Sequence, residues 1–156
     1  MKTELILVSK TTDKHLAVGI DDYVSRICHY LPFAITVIPE LKNTKNMTEE
    51  QQKVREGELI LQKIQPSDTV VLLDEHGKEF RSIEFADWLQ KKQNTARRLV
   101  FVIGGPYGFS ESIYKRADEQ LSLSKMTFSH QMVRLLFVEQ IYRACTIIKG
   151  EPYHHE

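Results

Sequence analysis

The sequence predicts an α/β fold, a mostly parallel sheet flanked by helices, as one domain over residues 1–156. Three observations carry that reading. Five short runs rich in apolar and β-branched residues, Glu4–Val8, Phe33–Ile38, Thr69–Leu73, Leu99–Ile103 and a weaker Gln120–Leu123, have strand length rather than helix length. Stretches with apolar residues at helical spacing separate them, and helical crossovers are what join neighbouring parallel strands. Two of the runs, Thr69–Leu73 and Leu99–Ile103, are apolar without alternation, the pattern of strands covered on both faces.

Glu4–Val8 opens the chain as a buried strand, and Asp13–Tyr30 follows as a helix with Leu16, Ile20, Tyr23, Val24 and Ile27 on one face. Pro32 breaks this helix, and Phe33–Ile38 forms a second strand that Pro39 ends. Leu41–Met47 is a polar loop, expected to be mobile. Thr48, with Glu49 to Gln51 behind it, caps a charged helix running to about Ile64. Thr69–Leu73 is bounded by the turn formers Pro66-Ser67-Asp68 and by Asp74–Gly77. Ser82 starts a helix through Trp88 to about Lys92, and Leu99–Ile103 stops at Gly104-Gly105-Pro106-Tyr107-Gly108. A short helix from Ser110 leads to Gln120–Leu123; after Ser124–Ser129 a long helix spans about Gln131–Ile148, and Lys149–Glu156 is the tail.

A chain of 156 residues buries one real core, whereas two domains cut from it would each be marginal. Hydrophobic residues at 42% and charged residues at 27% exclude a disordered, one-signed segment. Twenty-one basic side chains balance twenty-one acidic ones, so no overall positive field holds nucleic acid and any RNA contact has to be local. Lys91-Lys92 and Arg97-Arg98 read as solvated charges near a helix end. The first apolar stretch, Leu5–Val8, is too short for a signal-peptide core or a membrane span, and a cytoplasmic protein is expected. Cys28 and Cys145 lie far apart without C-x-x-C spacing, which argues against a disulfide framework or a zinc site; buried free thiols and no metal are expected.

Four segments carry chemistry. The glycine loop 104–108 at a strand end allows close backbone approach to a ligand, although a tight turn explains it equally well. It fits neither G-x-G-x-x-G nor G-K-[ST], which removes support from dinucleotide and triphosphate binding. In Leu121–Gln131, Ser129 suits a helix N-cap, while exposed backbone groups suit the edge of an adenine. Arg134, Glu139 and Arg143 put charge on a largely apolar helix and need partners, either in an internal network or dimer seam, or in contact with RNA and the reacting groups. In Gly150–Glu156, a frayed end is the ordinary reading; against it, Pro152 stiffens the chain, and Tyr153 with His154 offers an aromatic platform and a group titrating near neutrality.

Taken together, LLDEHGK, FVIGGPYGF, LSLSKMTFSHQMVRLLFVEQIYRA and GEPYHHE resemble the RlmH family of the SPOUT superfamily, ribosomal RNA large subunit methyltransferases acting on N3 of a pseudouridine. The resemblance spans essentially the whole chain. It implies a trefoil knot within about residues 70–156, S-adenosylmethionine as cofactor, 23S rRNA in the assembled ribosome as substrate, and a homodimer whose active site draws on both subunits. Carried over residue by residue, it implies cofactor contacts at Leu73, Gly104, Leu123, Ser124, Lys125, Met126, Thr127 and Phe128. It also implies substrate binding and catalysis by Arg134, Glu139, Arg143, Tyr153 and His154. The chain departs from the family pattern at Ser129, where Pro often precedes the motif His130.

The chemistry so implied needs an imide N–H deprotonated and a methyl aligned. His154, or an acidic group it holds, is the expected proton acceptor, with Arg134 or Arg143 stabilising the anion. Two competitors differ in class. One is a non-catalytic ribosome-binding dimer that keeps the cofactor fold; the other is a nucleotide-dependent oxidoreductase, for which the fingerprint and an acidic ribose partner are missing.

Overall fold

The computed structural model describes residues 1–156. Strands β1 (Lys2–Val8), β2 (Phe33–Ile38), β3 (Thr69–Glu79), β4 (Arg98–Ile103) and β5 (Glu119–Ser122) form one sheet in the order β2-β1-β4-β3-β5. Every neighbouring pair is parallel. The connecting helices are α1 (Lys14–Ile27), α2 (Glu49–Leu61), α3 (Ser82–Thr95), α4 (Glu111–Arg116) and α5 (Met132–Ile148). No helix is long and apolar enough to cross a membrane.

The continuous apolar runs follow from two-sided burial. Leu5, Leu7, Val71, Leu99, Phe101 and Ile103 face a core with Ile20 and Ile27 of α1, Phe85 and Leu89 of α3, and Phe137 and Ile141 of α5. Their neighbours Ile6, Val8, Val70, Leu72, Val100 and Val102 face the opposite core with Ile60 of α2 and Ile113 of α4. Successive strand residues point to opposite faces, so a strand with helices on both sides has to be apolar at every position. Two helix starts match their sequence signals. Asp13 accepts from the backbone of His15 and Leu16 at 2.8 and 3.2 Å, and Thr48 with Gln51 forms a reciprocal capping box, each cap contributing about 1 kcal/mol.

The structure departs from the sequence expectation in four places. The first helix ends at Ile27, and Cys28–Tyr30 form a turn. Arg98 and Lys92 are not solvated charges: Arg98 bonds Asp68 at 3.0 and 2.7 Å and the Lys63 carbonyl at 2.7 Å and pairs with the buried Glu4, while Lys92 pairs with Glu119 over the Trp88 ring. Cys28 is exposed; Cys145 is buried, and burial pushes its thiol up to about 12.

The fourth difference bears on the site. β3 does not stop at Leu73. Asp74–Gly77 leave the pairing and Lys78–Glu79 rejoin it, so that Leu121 of β5 pairs with both Leu73 and Lys78. Gly77 permits the return, because a Cβ there would lie 2.6 Å from the Gln120 carbonyl carbon and 2.7 Å from the Leu121 nitrogen. What reads as a turn in sequence is a bulge inside a strand.

Candidate active site

The carboxyl ends of β3, β4 and β5 and the segment before α5 enclose an open cavity of about 540 Å³, within the range of small-ligand sites. The glycine loop after β4 forms one wall. Gly108 takes φ 82°, and its N–H donates to the Gly105 carbonyl at 3.1 Å, which folds the loop back on itself. Behind it, the Glu56 carboxylate stands against Gly105, and burial holds that carboxyl above the usual range.

The β3 bulge supplies a second wall that the sequence reading left out: Asp74, Glu75 and His76, with Tyr114 of α4. Asp74 accepts from the His76 backbone at 2.9 Å and from the Tyr114 hydroxyl. Burial alone would raise the Asp74 pKa, but these hydrogen bonds hold the carboxyl below its ordinary range; burial and Asp74 together push Tyr114 up to about 12. Glu75 accepts from the Thr127 hydroxyl at 2.9 Å, tying the bulge to the segment after β5.

That segment is the third wall. Ser122 donates to the Ser124 carbonyl at 2.8 Å, and Ser124 accepts from the Met126 nitrogen at 3.0 Å, so the serines shape the loop. Ser129 accepts from the Met132 nitrogen at 3.0 Å as a helix cap. Leu73, Gly104, Leu123, Ser124, Met126, Thr127 and Phe128 all line the cavity; Lys125 is exposed in the same loop and lies off its wall. The cavity wall holds two carboxylates, two histidines and neither lysine nor arginine. Burial and the charge of Arg134 hold His130 below the ordinary imidazole range. Such a wall favours a cation and disfavours a phosphate.

The remaining expected residues sit elsewhere. Arg134 is fully buried, and its guanidinium bonds the Val8 carbonyl at 2.7 Å and the Ser9 carbonyl, Thr11 hydroxyl and His130 carbonyl at 3.0 Å each. It fastens the end of β1 to the start of α5 and does not face the cavity. Glu139, Arg143, Tyr153 and His154 do come together. Arg143 bonds Glu139 at 3.1 Å through Nε, lies 4.8 Å over the Tyr153 ring, and stands 3.0 Å from His154 Nδ1. A guanidinium can only donate, so Nδ1 accepts and the imidazole proton resides on Nε2, a buried atom without a partner. Tyr23 of α1 and Tyr30 in the turn after it grip the tail through Tyr153 at 3.2 Å and Glu151 at 2.7 Å.

Ten helical positions separate Val133 at the cavity from Arg143, a rise of about 15 Å. A groove of about 260 Å³, bounded by Phe80, Phe85, Phe128, Leu136 and Gln140, runs between the two regions. No three His, Cys, Asp or Glu side chains are grouped so as to hold a metal ion.

A family model described as "Predicted SPOUT methyltransferase" matches residues 1–154. The chain belongs to this family. It is 62% identical to a protein of Bacteroides fragilis named "Ribosomal RNA large subunit methyltransferase H", with all of both chains covered. It is 60% identical to a protein of the same name from Christiangramia forsetii, over 99% of each chain. A structure of the SpoU methyltransferase AviRb from Streptomyces viridochromogenes aligns at a TM-score of 0.48 and 15% identity, over 96% of this chain and 61% of that one, a likeness too loose to argue from. A SPOUT methyltransferase needs room for a methyl donor. In this chain the cavity lies at the carboxyl ends of the sheet, where ligands of open α/β sheets bind.

Proposed function

We propose that the protein transfers a methyl group from S-adenosylmethionine to N3 of a pseudouridine in 23S rRNA, on assembled ribosomes in the cytoplasm, and acts as a homodimer. The observation that carries the reading is the cavity wall, with two carboxylates and neither lysine nor arginine. It suits a sulfonium cation, and the neighbouring apolar surface of Leu73, Leu123 and Phe128 suits an adenosyl group. The names of the full-length relatives support the RNA substrate. The reading includes a trefoil knot within about residues 70–156.

When bound, S-adenosylmethionine supplies a methyl already activated by its positive sulfur. This chain has to hold the acceptor in line and remove the N3 proton. Glu139, paired with Arg143, keeps the tail cluster close to neutral. In the arrangement described, Arg143 occupies the only free lone pair of His154. As the imide loses its proton, Arg143 turns from Nδ1 to the developing anion, and the imidazole nitrogen so released takes the proton. Arg134 acts as a positioning residue through the end of β1 and the loop preceding α5.

A second copy completes the site. The tail cluster and the cavity of one chain are separated along α5, while Met126, Phe128, Met132 and Leu136 present apolar surface to solvent beside the groove. A partner seated there would bring its tail to this cavity.

The test is transfer of labelled methyl from S-adenosylmethionine to purified ribosomes, beside ribosomes lacking the relevant pseudouridines. The expected product is N3-methylpseudouridine in the first sample alone. Measurable cofactor binding with no transfer to either sample would instead indicate a ribosome-binding dimer that keeps the cofactor fold.

A further inference from the structure

The cavity wall has neither lysine nor arginine, yet a polyanionic substrate has to be held beside it. Four lysines stand at the adjoining part of the carboxyl edge: Lys10 and Lys14 after β1, and Lys42 and Lys45 after β2. All four are exposed. Lys53, Lys91, Lys92 and Lys115 are each paired with a carboxylate; Lys10, Lys14, Lys42 and Lys45 are not, and they differ from the other unpaired lysines in being grouped at the ends of two adjacent strands. The strand register brings the two loops together. Val8 pairs with Ile38, and the Ser9 nitrogen donates to the Ile38 carbonyl at 2.7 Å, so the loops leave the sheet side by side. Leu7 pairs with Ile103, which sets the first loop next to the glycine loop of the cavity.

The backbone of the first of these loops is held in place. Arg134 holds the Ser9 carbonyl, and Gln131 accepts from the Thr12 nitrogen at 2.9 Å. Ser9 at φ 62° and Asn43 at φ 59° are the two non-glycine residues with positive φ in the chain, and each lies in one of these loops. Backbone held in that region costs energy and persists where surrounding contacts enforce it. The nearby acids do not neutralise the edge: residues 9–15 and 39–47 hold two carboxylates, Asp13 and Glu40, against four lysines. At the amino edge Arg98 and Arg116 are matched by Glu4, Asp68 and Asp118, and Lys2 and Lys63 stand there unpaired, which makes them a control of the same charge.

We infer that Lys10, Lys14, Lys42 and Lys45 form a docking edge for the phosphodiester backbone of the RNA substrate, beside the methyl-donor cavity and not within it. The inference rests on the proposed RNA methylation and adds where the nucleic acid is held. Ammonium groups on long stems over a rigid backbone suit phosphate contacts that fix orientation without reading sequence. The division of charge is functional: the negative cavity admits the cationic donor, and the positive edge retains the polyanion.

The test measures binding of the full-length protein to purified ribosomes across a range of KCl concentrations, for wild type, K10A/K14A, K42A/K45A and a control, K2A/K63A, at the amino edge. Each docking pair should raise the ribosome KM several-fold and flatten the salt dependence by about 1.5 in log K against log salt, from roughly 0.7–0.9 per lost phosphate contact. Affinity for S-adenosylmethionine and kcat at saturating ribosomes should stay at the wild-type level. Unchanged salt slopes in both docking variants, or an equal loss in the control, would overturn the docking edge while leaving the methylation reading intact. Salt-dependent ribosome binding that these variants weaken, but without methyl transfer in the wild type, would defeat the methylation reading and leave the edge standing.

Discussion

The cavity and the C-terminal cluster are built from different materials. The cavity takes its shape from backbone, glycine and hydroxyl groups fixed by short-range bonds, as at Ser122, Ser124 and Thr127. The cluster of Glu139, Arg143, Tyr153 and His154 is assembled from long polar side chains that one helix and one tail bring together. The first arrangement is preorganised to bind. The second can rearrange, with a buried imidazole N–H lacking a partner and an arginine shared between a carboxylate and a ring. On the proposed reading, binding belongs to the first and proton transfer to the second, and substitutions should separate them.

The largest effect is expected at Arg134, which belongs to neither region. Arg134→Met removes the donor to three backbone carbonyls and a hydroxyl and leaves them buried, at a cost of about 3–5 kcal/mol. Urea unfolding should show the loss, and cofactor affinity should fall with it because the His130 end of the network lines the cavity. A variant of wild-type stability that had lost only turnover would instead move Arg134 into the chemistry.

His154→Ala should lower kcat by about 100-fold, the ordinary scale for a lost acid or base, while leaving cofactor affinity within a factor of two. Mixing this variant with a cavity-defective Gly105→Val chain sharpens the contrast. If tail and cavity meet across a dimer, random pairing restores one working site in half of the dimers, about a quarter of wild-type activity. Tail and cavity acting within one chain would restore none.

The two regions were also unequally legible. The five strands and the helices between them could be read from periodicity, because each pattern is local and burial on both faces leaves it unbroken. The segment from Leu123 to Phe128 could likewise be singled out through the family motif, and all of it but Lys125 lines the cavity. Asp74, Glu75 and His76 were hidden because a bulge and a turn share the same residue types; the cue was Gly77, whose necessity appears only once β5 lies against it. Arg134 showed a need for partners, but those partners are carbonyls at Val8 and Ser9, more than a hundred residues away in sequence.

Gly77→Ala tests the bulge directly. Its new methyl would meet the backbone of Gln120 and Leu121, which cannot move aside as a side-chain tip would. Overpacking of this kind costs about 1–3 kcal/mol. Thermal unfolding should register it, together with weaker cofactor binding, because Asp74 and Glu75 would be displaced. Full stability with normal binding would show that the return of β3 to the sheet tolerates a side chain.

The smallest effect concerns the charge of the cavity. His130 lines it, and burial together with Arg134 holds its folded-state pKa below the ordinary value near 6.5. Protonation then favours the unfolded chain. The contribution to stability is complete above about pH 6.5 and declines as pH falls from there toward the depressed folded value, with a slope of at most about 1.4 kcal/mol per pH unit. A protonated His130 would also repel a cationic ligand, so affinity for S-adenosylmethionine should weaken over the same range. In His130→Gln both pH dependences should be flatter between pH 7 and 5. Cofactor affinity that is already independent of pH in the wild type would mean that His130 does not contribute to the potential felt by the sulfonium, and that Asp74 and Glu75 set it alone.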